Sequence, residues 1–329
     1  MTGERSRPAP SRRAVLAVAG LLPLSLSACG TGDGPDPDRT ADRGAHSPSA
    51  RPSGDGSERP APSPDPARLA SRFAALERTY GARLGLHAVD TGSGATLSHR
   101  ADERFAFCST FKTLAAAAVL HHNPPSHLDQ RITYTAADVD SISPVTEKHV
   151  ATGMTVRQLC DAAVRYSDGT AGNLLMRDIG GPARLTAYLR GLGDDVSRMD
   201  DYEPELNDVR PKDPRDTTTP RAIAADYRAL VLGDALPAAE RALVKDWLLR
   251  NAAAVGAERI RAGLPKGWTA ADKTGTGNWG RANDIAVLWP PDGDPLVLAV
   301  LTDRPRRDDP PSNALIAAAT RSAVAELAR

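Results

Sequence analysis

The apolar residues between Leu69 and Tyr80 recur every three or four positions, which predicts an amphipathic helix. Two segments with the composition of β-strands follow, Arg83–Val89 and Ala95–Ser98. The residues between them, Asp90–Gly94, are glycine-rich and suited to a turn. A helix followed by a β-hairpin is therefore expected at the start of the folded part of the chain.

Helical patterns dominate the middle of the chain. The alanine-rich run from Thr110 to Leu120 contains no glycine or proline, and Pro124 and Pro125 end it. Further on, between residues 155 and 250, apolar residues again follow helical spacing after N-terminal helix signals. Five helices are predicted there: Val156–Tyr166, Gly172–Ile179, Pro182–Gly191, Pro220–Leu232 and Pro237–Arg250.

The end of the chain returns to strand-like patterns. Two short apolar runs, Asp284–Trp289 and Leu296–Leu301, are joined by a proline-rich and glycine-containing turn, and a helix is predicted over Asn313–Leu327. Strands at both ends of the chain surround a helical middle. This order favours an α/β architecture in which both ends build one antiparallel sheet with flanking helices, and an all-helical lobe is inserted between them.

The first 28 residues have the features of a signal peptide. Arg12 and Arg13 precede an apolar run, Ala14–Leu26, that is too short to span a bilayer comfortably. An arginine pair is found in twin-arginine export signals and also in ordinary signal peptides, so both routes stay open. Small residues precede Cys29 as in a bacterial lipobox. We therefore expect Cys29 to be lipidated, an isolated cysteine being the alternative.

Residues 29–66 contain Gly, Pro, Ser, Asp and Arg and almost no apolar side chain, so they are predicted to be a disordered linker. The folded domain is expected over residues 67–329. Its α/β lobe is predicted at about residues 67–104 and 253–329, and its helical lobe at about residues 105–252. The linker would hold this domain away from a membrane to which Cys29 is attached.

Composition excludes several classes of function. The 329 residues carry a formal net charge of zero, so no basic excess indicates a nucleic-acid partner. Cys108 and Cys160 are expected to be two buried free thiols rather than a disulfide. Three histidines between His121 and His127 lie in a Pro-Pro loop without acidic or cysteine partners at ligand spacing. Neither a metal nor another cofactor is therefore expected.

The first candidate catalytic residues lie where the predicted helix near residue 110 begins. Ser109 and Lys112 are three residues apart, so their side chains would share one helical face, and the amine could reach the hydroxyl. An adjacent base and a helix N-terminus are what a serine nucleophile requires. Alternatively, Ser109 is a simple N-cap and Lys112 a solvated charge, and this pair of residues also occurs by chance.

Three more motifs follow in a particular order. They are Ser167-Asp168-Gly169 with Asn173 six residues after its serine, Glu203-Pro204-Glu205-Leu206-Asn207, and Lys273-Thr274-Gly275-Thr276. Together with Ser109 and Lys112 they resemble the class A β-lactamases, whose Ser-x-x-Lys, Ser-Asp-Asn and Lys-Thr-Gly elements occur in the same order. The resemblance extends from about residue 67 to residue 329 and implies the two-lobed α/β fold of serine β-lactamases and transpeptidases, with the site between the lobes.

The resemblance implies a role for each motif. Ser109 would attack the β-lactam carbonyl, and Lys112 and Ser167 would pass protons. Glu203 would activate the water that removes the acyl group, with support from Asn207 and Asn173. Whether Lys112 or Glu203 accepts the serine proton is disputed for the family.

Further residues would bind the substrate. Lys273, Thr274, Gly275 and Thr276 would line the wall that holds its carboxylate. The backbone N–H groups of Ser109 and Thr276 would form the oxyanion hole. Arg259 matches a carboxylate-binding arginine of some members, a helix-end charge being the alternative, and Ile142 lies near the position of a gatekeeper at the cleft mouth.

The chain departs from the usual family pattern at two positions. Gly169 replaces the commoner asparagine, which is expected to open space near the substrate. Asp201 replaces an arginine that usually pairs with the residue corresponding to Asp216, so Arg198 or Arg215 would have to compensate. Cys108 matches a cysteine of some carbapenem-hydrolysing members, but no partner cysteine is present across the site.

The sequence thus predicts an exported, membrane-anchored serine β-lactamase. It would hydrolyse penicillins and some cephalosporins as a monomer, give antibiotic resistance, and lie on the outer face of the cytoplasmic membrane, with release from the cell as a further possibility. A penicillin-binding D,D-peptidase and a non-hydrolytic penicillin sensor are the alternatives. They share the serine, lysine and Lys-Thr-Gly elements but lack the Glu-x-x-x-Asn loop.

Overall fold

A computed structural model describes residues 66–327 of the protein. The predicted signal peptide, Cys29 and the predicted linker up to residue 65 lie outside the described residues. None of the described helices is both long enough and apolar enough to cross a membrane.

Helices and strands occur along the whole described part of the chain. The helices are α1 Pro66–Tyr80, α2 Phe111–His122, α3 Val156–Arg165, α4 Gly169–Asp178, α5 Pro182–Gly191, α6 Pro220–Val231, α7 Ala238–Leu249, α8 Ile260–Gly263 and α9 Asn313–Leu327. The strands are β1 Arg83–Asp90, β2 Thr96–His99, β3 Phe105–Ala106, β4 Arg131–Ile132, β5 Met154–Thr155, β6 Thr217–Thr218, β7 Thr269–Gly277, β8 Arg281–Trp289 and β9 Leu296–Asp303. Short 3-10 turns cover Cys108–Thr110, Pro125–Asp129, Ala136–Asp138, Thr146–Lys148, Glu205–Asn207 and Ala254–Glu258.

Five strands form one antiparallel sheet in the order β2-β1-β9-β8-β7. The first long strand therefore pairs with the last, and Arg83 lies opposite Asp303. This arrangement confirms the predicted sheet built from both ends of the chain. Strands β8 and β9 are longer than predicted, because buried polar residues extend them: Asn283 lies before the predicted start of β8, and Thr302 lies after the predicted end of β9.

Side chains of the sheet alternate between two apolar cores. On one face, Ile285, Val287 and Ala299 pack with α2 and the helices of the middle of the chain. On the other face, Ala286 and Val300 pack with α1, α8 and α9. Because both faces are covered, β9 is buried along its whole length and reads as a continuous apolar strand.

Helix α2 lies in the centre of the larger core. Its residues from Phe111 to Leu120 are all buried, which agrees with the apolar character of the sequence on every side of this helix. The other predicted helices are also present, with small shifts at their ends. Helix α4 begins at Gly169 and not at Gly172, because the Asp168 carboxylate caps it by accepting the N–H of Ala171.

Candidate active site

Ser109 lies in the 3-10 turn Cys108–Thr110, directly before α2. Its side chain caps neither this turn nor the helix, so Ser109 is not an N-cap. Cys108 has a φ of 45°, a left-handed conformation that a residue with a side chain adopts only under constraint. The turn thus holds Ser109 in a constrained position in which only 9% of the residue is exposed.

Lys112 follows one turn later and contacts the serine. Its Nζ donates to Ser109 Oγ over 2.9 Å, as the i, i+3 spacing predicts. The same nitrogen donates to the carbonyl oxygen of Ser167 over 2.6 Å and lies 3.0 Å from Glu203 Oε1. The side chain is buried. Lys112 therefore connects the serine to the second and third motifs within hydrogen-bond distance.

Glu203 completes this group from the opposite side. Ser109 Oγ donates to Glu203 Oε1 over 3.1 Å. Asn173 on α4 fixes the Glu203 backbone twice, because its Nδ2 donates to the carbonyl oxygen at 2.8 Å and its Oδ1 accepts the N–H at 2.9 Å. A carboxylate held in this way can accept a proton from the serine or from a water between them.

Asn207 lies at the end of the short turn Glu205–Asn207, four residues after Glu203. Its Oδ1 is buried and has no hydrogen-bond partner among residues 66–327. A buried amide oxygen without a partner is costly, and an ordered water is the usual solution. The Asn207 carbonyl oxygen accepts the N–H of Asn278 just beyond β7, so this turn is attached to the sheet.

Ser167 and Lys273 form a second hydroxyl–amine pair. Lys273 Nζ donates to Ser167 Oγ over 2.9 Å and to the Thr274 carbonyl oxygen over 2.9 Å. Ser167 also has a left-handed backbone, with a φ of 58°. Burial, reinforced by the nearby charge of Lys112, lowers the pKa of Lys273 to about 7. The amine of Lys273 is thus poised to gain or lose a proton near neutral pH.

Strand β7 carries Lys273, Thr274, Gly275 and Thr276 along the edge of the sheet. It lies against the serine turn, since a Cβ on Gly275 would come within 3.0 Å of the Phe107 carbonyl oxygen. Only a glycine fits there without movement of the backbone. The edge strand therefore forms a wall directly beside Ser109.

Arg259 is fully buried beneath this wall. Its guanidinium donates to Thr276 Oγ1 over 2.7 Å and to the Gly275 carbonyl oxygen over 2.7 Å. Burial lowers its pKa. Arg259 lies at the N-terminal end of α8, as the alternative of a helix-end charge describes, but it is buried and its guanidinium is directed to the β7 wall. It adds positive charge behind the Thr276 hydroxyl.

Gly169 does not open space near the substrate, and that expectation is wrong. A Cβ at this position would lie 2.6 Å from Glu203 Oε2 and 3.2 Å from the Ile142 carbonyl oxygen. The Glu203 carboxylate fills the volume that a side chain would need. Because Gly169 has no Cβ, Glu203 can occupy this position beside Ser109.

Ile142 belongs to the loop that faces Gly169. Its carbonyl oxygen accepts the Gly169 N–H over 2.7 Å. Its side chain is one of the few large apolar groups at the surface of the described chain, with 65% of the residue exposed. This is where a residue at the mouth of the site would lie, and its contact with substrate stays a prediction.

The loop over residues 198–216 is not held by an arginine pairing with Asp216. Asp216 Oδ1 instead accepts the N–H groups of Asp200 and Asp201 over 2.8 and 2.9 Å. Arg198 pairs with Asp200, and Arg215 pairs with Asp213. Backbone donors thus hold Asp216 itself, while Arg215 lies 3.6 Å from Asp201 and compensates the charge of the aspartate that replaces the usual arginine.

The Asp216 carboxyl is buried, and its Oδ2 has no partner in the described part of the chain. Burial, with the neighbouring charges of Asp201 and Asp200, raises the pKa of Asp216 to about 6. The neck of the loop therefore contains a carboxyl group that titrates in the range where many enzymes are assayed.

Cys108 and Cys160 are both buried and free of disulfides, as their sequence context predicts. Burial raises the pKa of the Cys108 thiol to about 11. A thiol of this kind is a poor nucleophile at neutral pH. The site therefore gives no support to Cys108 as a nucleophile in place of Ser109.

Several residues that position the catalytic candidates were not predicted from the sequence. Gly172 is one of them, because a Cβ there would lie 2.9 Å from Lys112 Cε. Asn283 is another, since its Nδ2 donates to the carbonyl oxygens of Ala106 and Phe107, just before the serine turn. The available signals were a glycine at the start of a predicted helix and an asparagine directly before a predicted strand. No cluster of metal-binding side chains occurs within residues 66–327.

Comparisons with known proteins agree with this geometry. The sequence model of the β-lactamase enzyme family matches residues 68–327. A β-lactamase of Mycobacterium tuberculosis is 60% identical over 262 residues, covering 78% of this chain and 85% of that protein. The β-lactamase AST-1 of Nocardia asteroides is 58% identical over 255 residues, covering 77% of this chain and 82% of that protein.

Solved structures show the same fold. A β-lactamase from Desulfarculus baarsii has a TM-score of 0.78 at 50% identity, and the match covers 80% of this chain and 99% of that one. A class A β-lactamase from Clostridium kluyveri has a TM-score of 0.78 at 41% identity, with coverage of 80% and 100%. Family, fold and the geometry around Ser109 agree, and the chain therefore belongs to the class A β-lactamases, enzymes that hydrolyse β-lactams.

Proposed function

We propose that this enzyme hydrolyses penicillins and some cephalosporins through an acyl-enzyme on Ser109, and that it gives its bacterium resistance to them. The observation that carries the proposal is the position of Glu203. Its carboxylate accepts a hydrogen bond from Ser109 Oγ at 3.1 Å and lies 3.0 Å from Lys112 Nζ. A base beside the acylated serine is what distinguishes turnover from permanent acylation.

In acylation, Ser109 Oγ attacks the β-lactam carbonyl carbon, its proton leaves to a base, and the ring C–N bond breaks. Lys112 and Glu203 both contact Ser109 Oγ, so either can be that base. Ser167 delivers a proton to the departing ring nitrogen. It is supported in this by Lys273, which donates to its hydroxyl. The backbone N–H groups of Ser109 and Thr276 stabilise the oxyanion.

In deacylation, Glu203 accepts a proton from a water that attacks the ester, and Ser109 is released. The buried Asn207 Oδ1, which has no partner in the described chain, supports a role in holding this water. The β7 wall would bind the substrate carboxylate, and the buried Arg259 guanidinium would support this binding with positive charge behind Thr276. Each of these roles follows from position and from the family pattern.

The test is turnover of benzylpenicillin and of a chromogenic cephalosporin by the full chain and two variants. Glu203→Ala should be acylated once and then persist as an acyl-enzyme detectable by mass spectrometry. Ser109→Ala should not be acylated. Equal turnover by wild type and Glu203→Ala would overturn the mechanism. A wild-type enzyme that acylates and stops would indicate a penicillin sensor, and slow release of penicillin with peptide hydrolysis would indicate a D,D-peptidase.

We further propose that the enzyme acts as a monomer, exported and anchored through lipidated Cys29. This rests on the sequence alone, because Cys29 lies outside the described residues. Replacing Cys29 with serine in the native bacterium should move the enzyme from the membrane fraction to the medium. The resistance of the cells to penicillin should fall if Ser109→Ala is introduced in place of the native gene.

A further inference from the structure

A cleft of about 610 Å³ lies where the start of β1, the end of β9 and the 198–216 loop come together. Pro211 and Lys212 line it from the loop, and Arg304 lines it from the segment after β9. None of its lining residues belongs to the candidate active site. Its volume is that of a small-molecule site, and neither the family pattern nor the proposed mechanism uses it.

Three cationic side chains of this cleft have no carboxylate within ion-pair distance among residues 66–327. Arg104 donates only to Thr217 Oγ1, at 3.0 Å. Arg304 donates only to the Tyr80 carbonyl oxygen, at 2.9 Å, and its Nε is buried without a partner. Lys212 makes neither a side-chain hydrogen bond nor an ion pair there, and it has a left-handed backbone with a φ of 75°.

These unpaired cations contrast with the other arginine in the cleft. Arg83 donates to both Glu103 and Asp303, at 2.9 and 2.5 Å for the two ion pairs. The two carboxylates of the cleft are therefore already engaged. With four cationic side chains and two anionic ones among its lining residues, the cleft keeps an excess of two positive charges.

The rest of the lining is small and apolar. Gly81, Ala82, Pro211 and Pro305 contribute no polar side-chain atom. An inorganic anion would contact the cations but leave these apolar surfaces exposed to water. An organic anion with an apolar body would use both parts, because guanidinium groups bind carboxylates in a fork and the apolar walls gain from burial.

We propose that this cleft binds an organic carboxylate with a compact apolar body, held by Arg104, Arg304 and Lys212. The ligand would attach the 198–216 loop to the sheet, because Lys212 belongs to the loop and Arg304 follows β9. Arg104 strengthens this connection, since it already contacts Thr217 just after the loop. The cleft is thus a second ligand site. Its occupancy would affect the 198–216 loop, which carries Glu203.

The experiment is an NMR titration of the full chain with naphthalene-2-carboxylate. The backbone amides of Ala82, Lys212 and Arg304 should shift, and the affinity should fall at least about tenfold in Arg104→Gln/Arg304→Gln. Lys212→Gln, at an exposed position, should also weaken binding. Lys266→Gln is the matched control, because this exposed lysine lies outside the cleft. It should bind like the wild type.

Two further ligands test the chemistry. The neutral naphthalene-2-carboxamide should bind at least about tenfold more weakly, and sulfate should bind more weakly than the organic carboxylate. Equal binding of the amide or of sulfate would overturn the proposed ligand class. Shifts confined to the amides around Ser109 and Thr276, or equal affinity of the double variant and Lys266→Gln, would overturn the site itself. Melting temperatures of all variants establish that they remain folded.

Discussion

At the scale of single residues, the absence of a side chain at Gly169 leaves room for the Glu203 carboxylate. A Cβ at position 169 would lie only 2.6 Å from Glu203 Oε2. The end of a glutamate can move, so a larger residue there costs little stability. What it changes is the distance from Glu203 to Ser109, on which deacylation depends.

Gly169→Ala should therefore slow deacylation more than acylation. We expect the steady-state rate to fall about tenfold or more while the initial burst of product persists, because Glu203 is displaced from the ester. Gly191→Ala is the matched control, since a Cβ there meets no atom within 4 Å. Stopped-flow kinetics separates the two steps. Similar kinetics for the two alanine variants would show that Glu203 tolerates the added carbon.

Lys273 should impose a pH dependence on substrate capture. Its pKa is lowered to about 7, so the free enzyme loses this positive charge as the pH rises through that value. The rate constant kcat/KM for a carboxylate substrate should then decline above about pH 7. In Lys273→Arg the guanidinium stays charged, and the alkaline decline should move to higher pH. The shape of the profile from pH 5.5 to 9 is the measurement, and identical profiles would exclude Lys273 as its source.

At the scale of elements, we expect the stability of the 198–216 loop to depend on pH through Asp216. The folded pKa of Asp216, about 6, lies above that of an aspartate in an unfolded chain. The stabilising contribution of the protonated form is thus complete at low pH and is lost as the pH rises through about 6. Ionised Asp216 would then face the charges of Asp200 and Asp201.

Hydrogen exchange should detect this change. After correction for intrinsic rates, protection of residues 198–216 should fall between pH 5.5 and 7.5 in the wild type. Asp216→Asn should flatten this dependence, because its Oδ1 can still accept the N–H groups of Asp200 and Asp201 while the charge is absent. Strong protection of the wild-type loop at both pH values would contradict the argument.

Helices and strands were largely predictable from sequence, and the reasons are physical. Apolar periodicity gave α1, α3 and α5 to α7 within a few residues, since burial of one face decides these elements. The start of α4 was missed because Ser167-Asp168-Gly169 suits a turn as well as a cap. The positions of Gly169 and Gly172 against Glu203 and Lys112 were not predictable, because such contacts depend on how separate helices pack.

The cleft beside Arg304 was likewise not predictable from the sequence. Unpaired arginines cannot be distinguished from paired ones in a sequence with equal numbers of acidic and basic residues. The motifs around Ser109, by contrast, were recognisable because their order along the chain is characteristic of a family.

At the scale of the whole molecule, a buried acid pair in the helical region affects stability. Asp226 on α6 is 2% exposed and lies near Asp194, and the Oδ2 atoms of both residues are buried without a hydrogen-bond partner in the described part of the chain. Burial, followed by the charge of Asp194, raises the pKa of Asp226 well above its usual value. The folded state therefore favours protonated Asp226, and this stabilising contribution is lost as the pH rises through the folded pKa of Asp226.

Asp226→Asn should therefore stabilise the enzyme increasingly as the pH rises from 5 to 8. An amide can donate to Asp194 without ionising, and we expect a gain of about 1 kcal/mol in the free energy of unfolding at the upper end. Melting temperatures across this range are the measurement. Asp292→Asn, at an exposed position, is the control and should follow the wild type. A difference in melting temperature between Asp226→Asn and wild type that stays constant with pH would contradict the titration of Asp226.

The pairing of β1 with β9 also determines when the enzyme can form during synthesis. Arg83 and Asp303 are 220 residues apart and share a hydrogen bond, so the sheet cannot close until nearly the whole chain has left the ribosome. Helices α2 to α7 are complete by residue 249 and can pack earlier. Ser109 and Lys112 are made early, but the wall formed by β7 is made late. A chain truncated before residue 269 would therefore carry a nucleophile without a binding site, and only nearly full-length chains can become active.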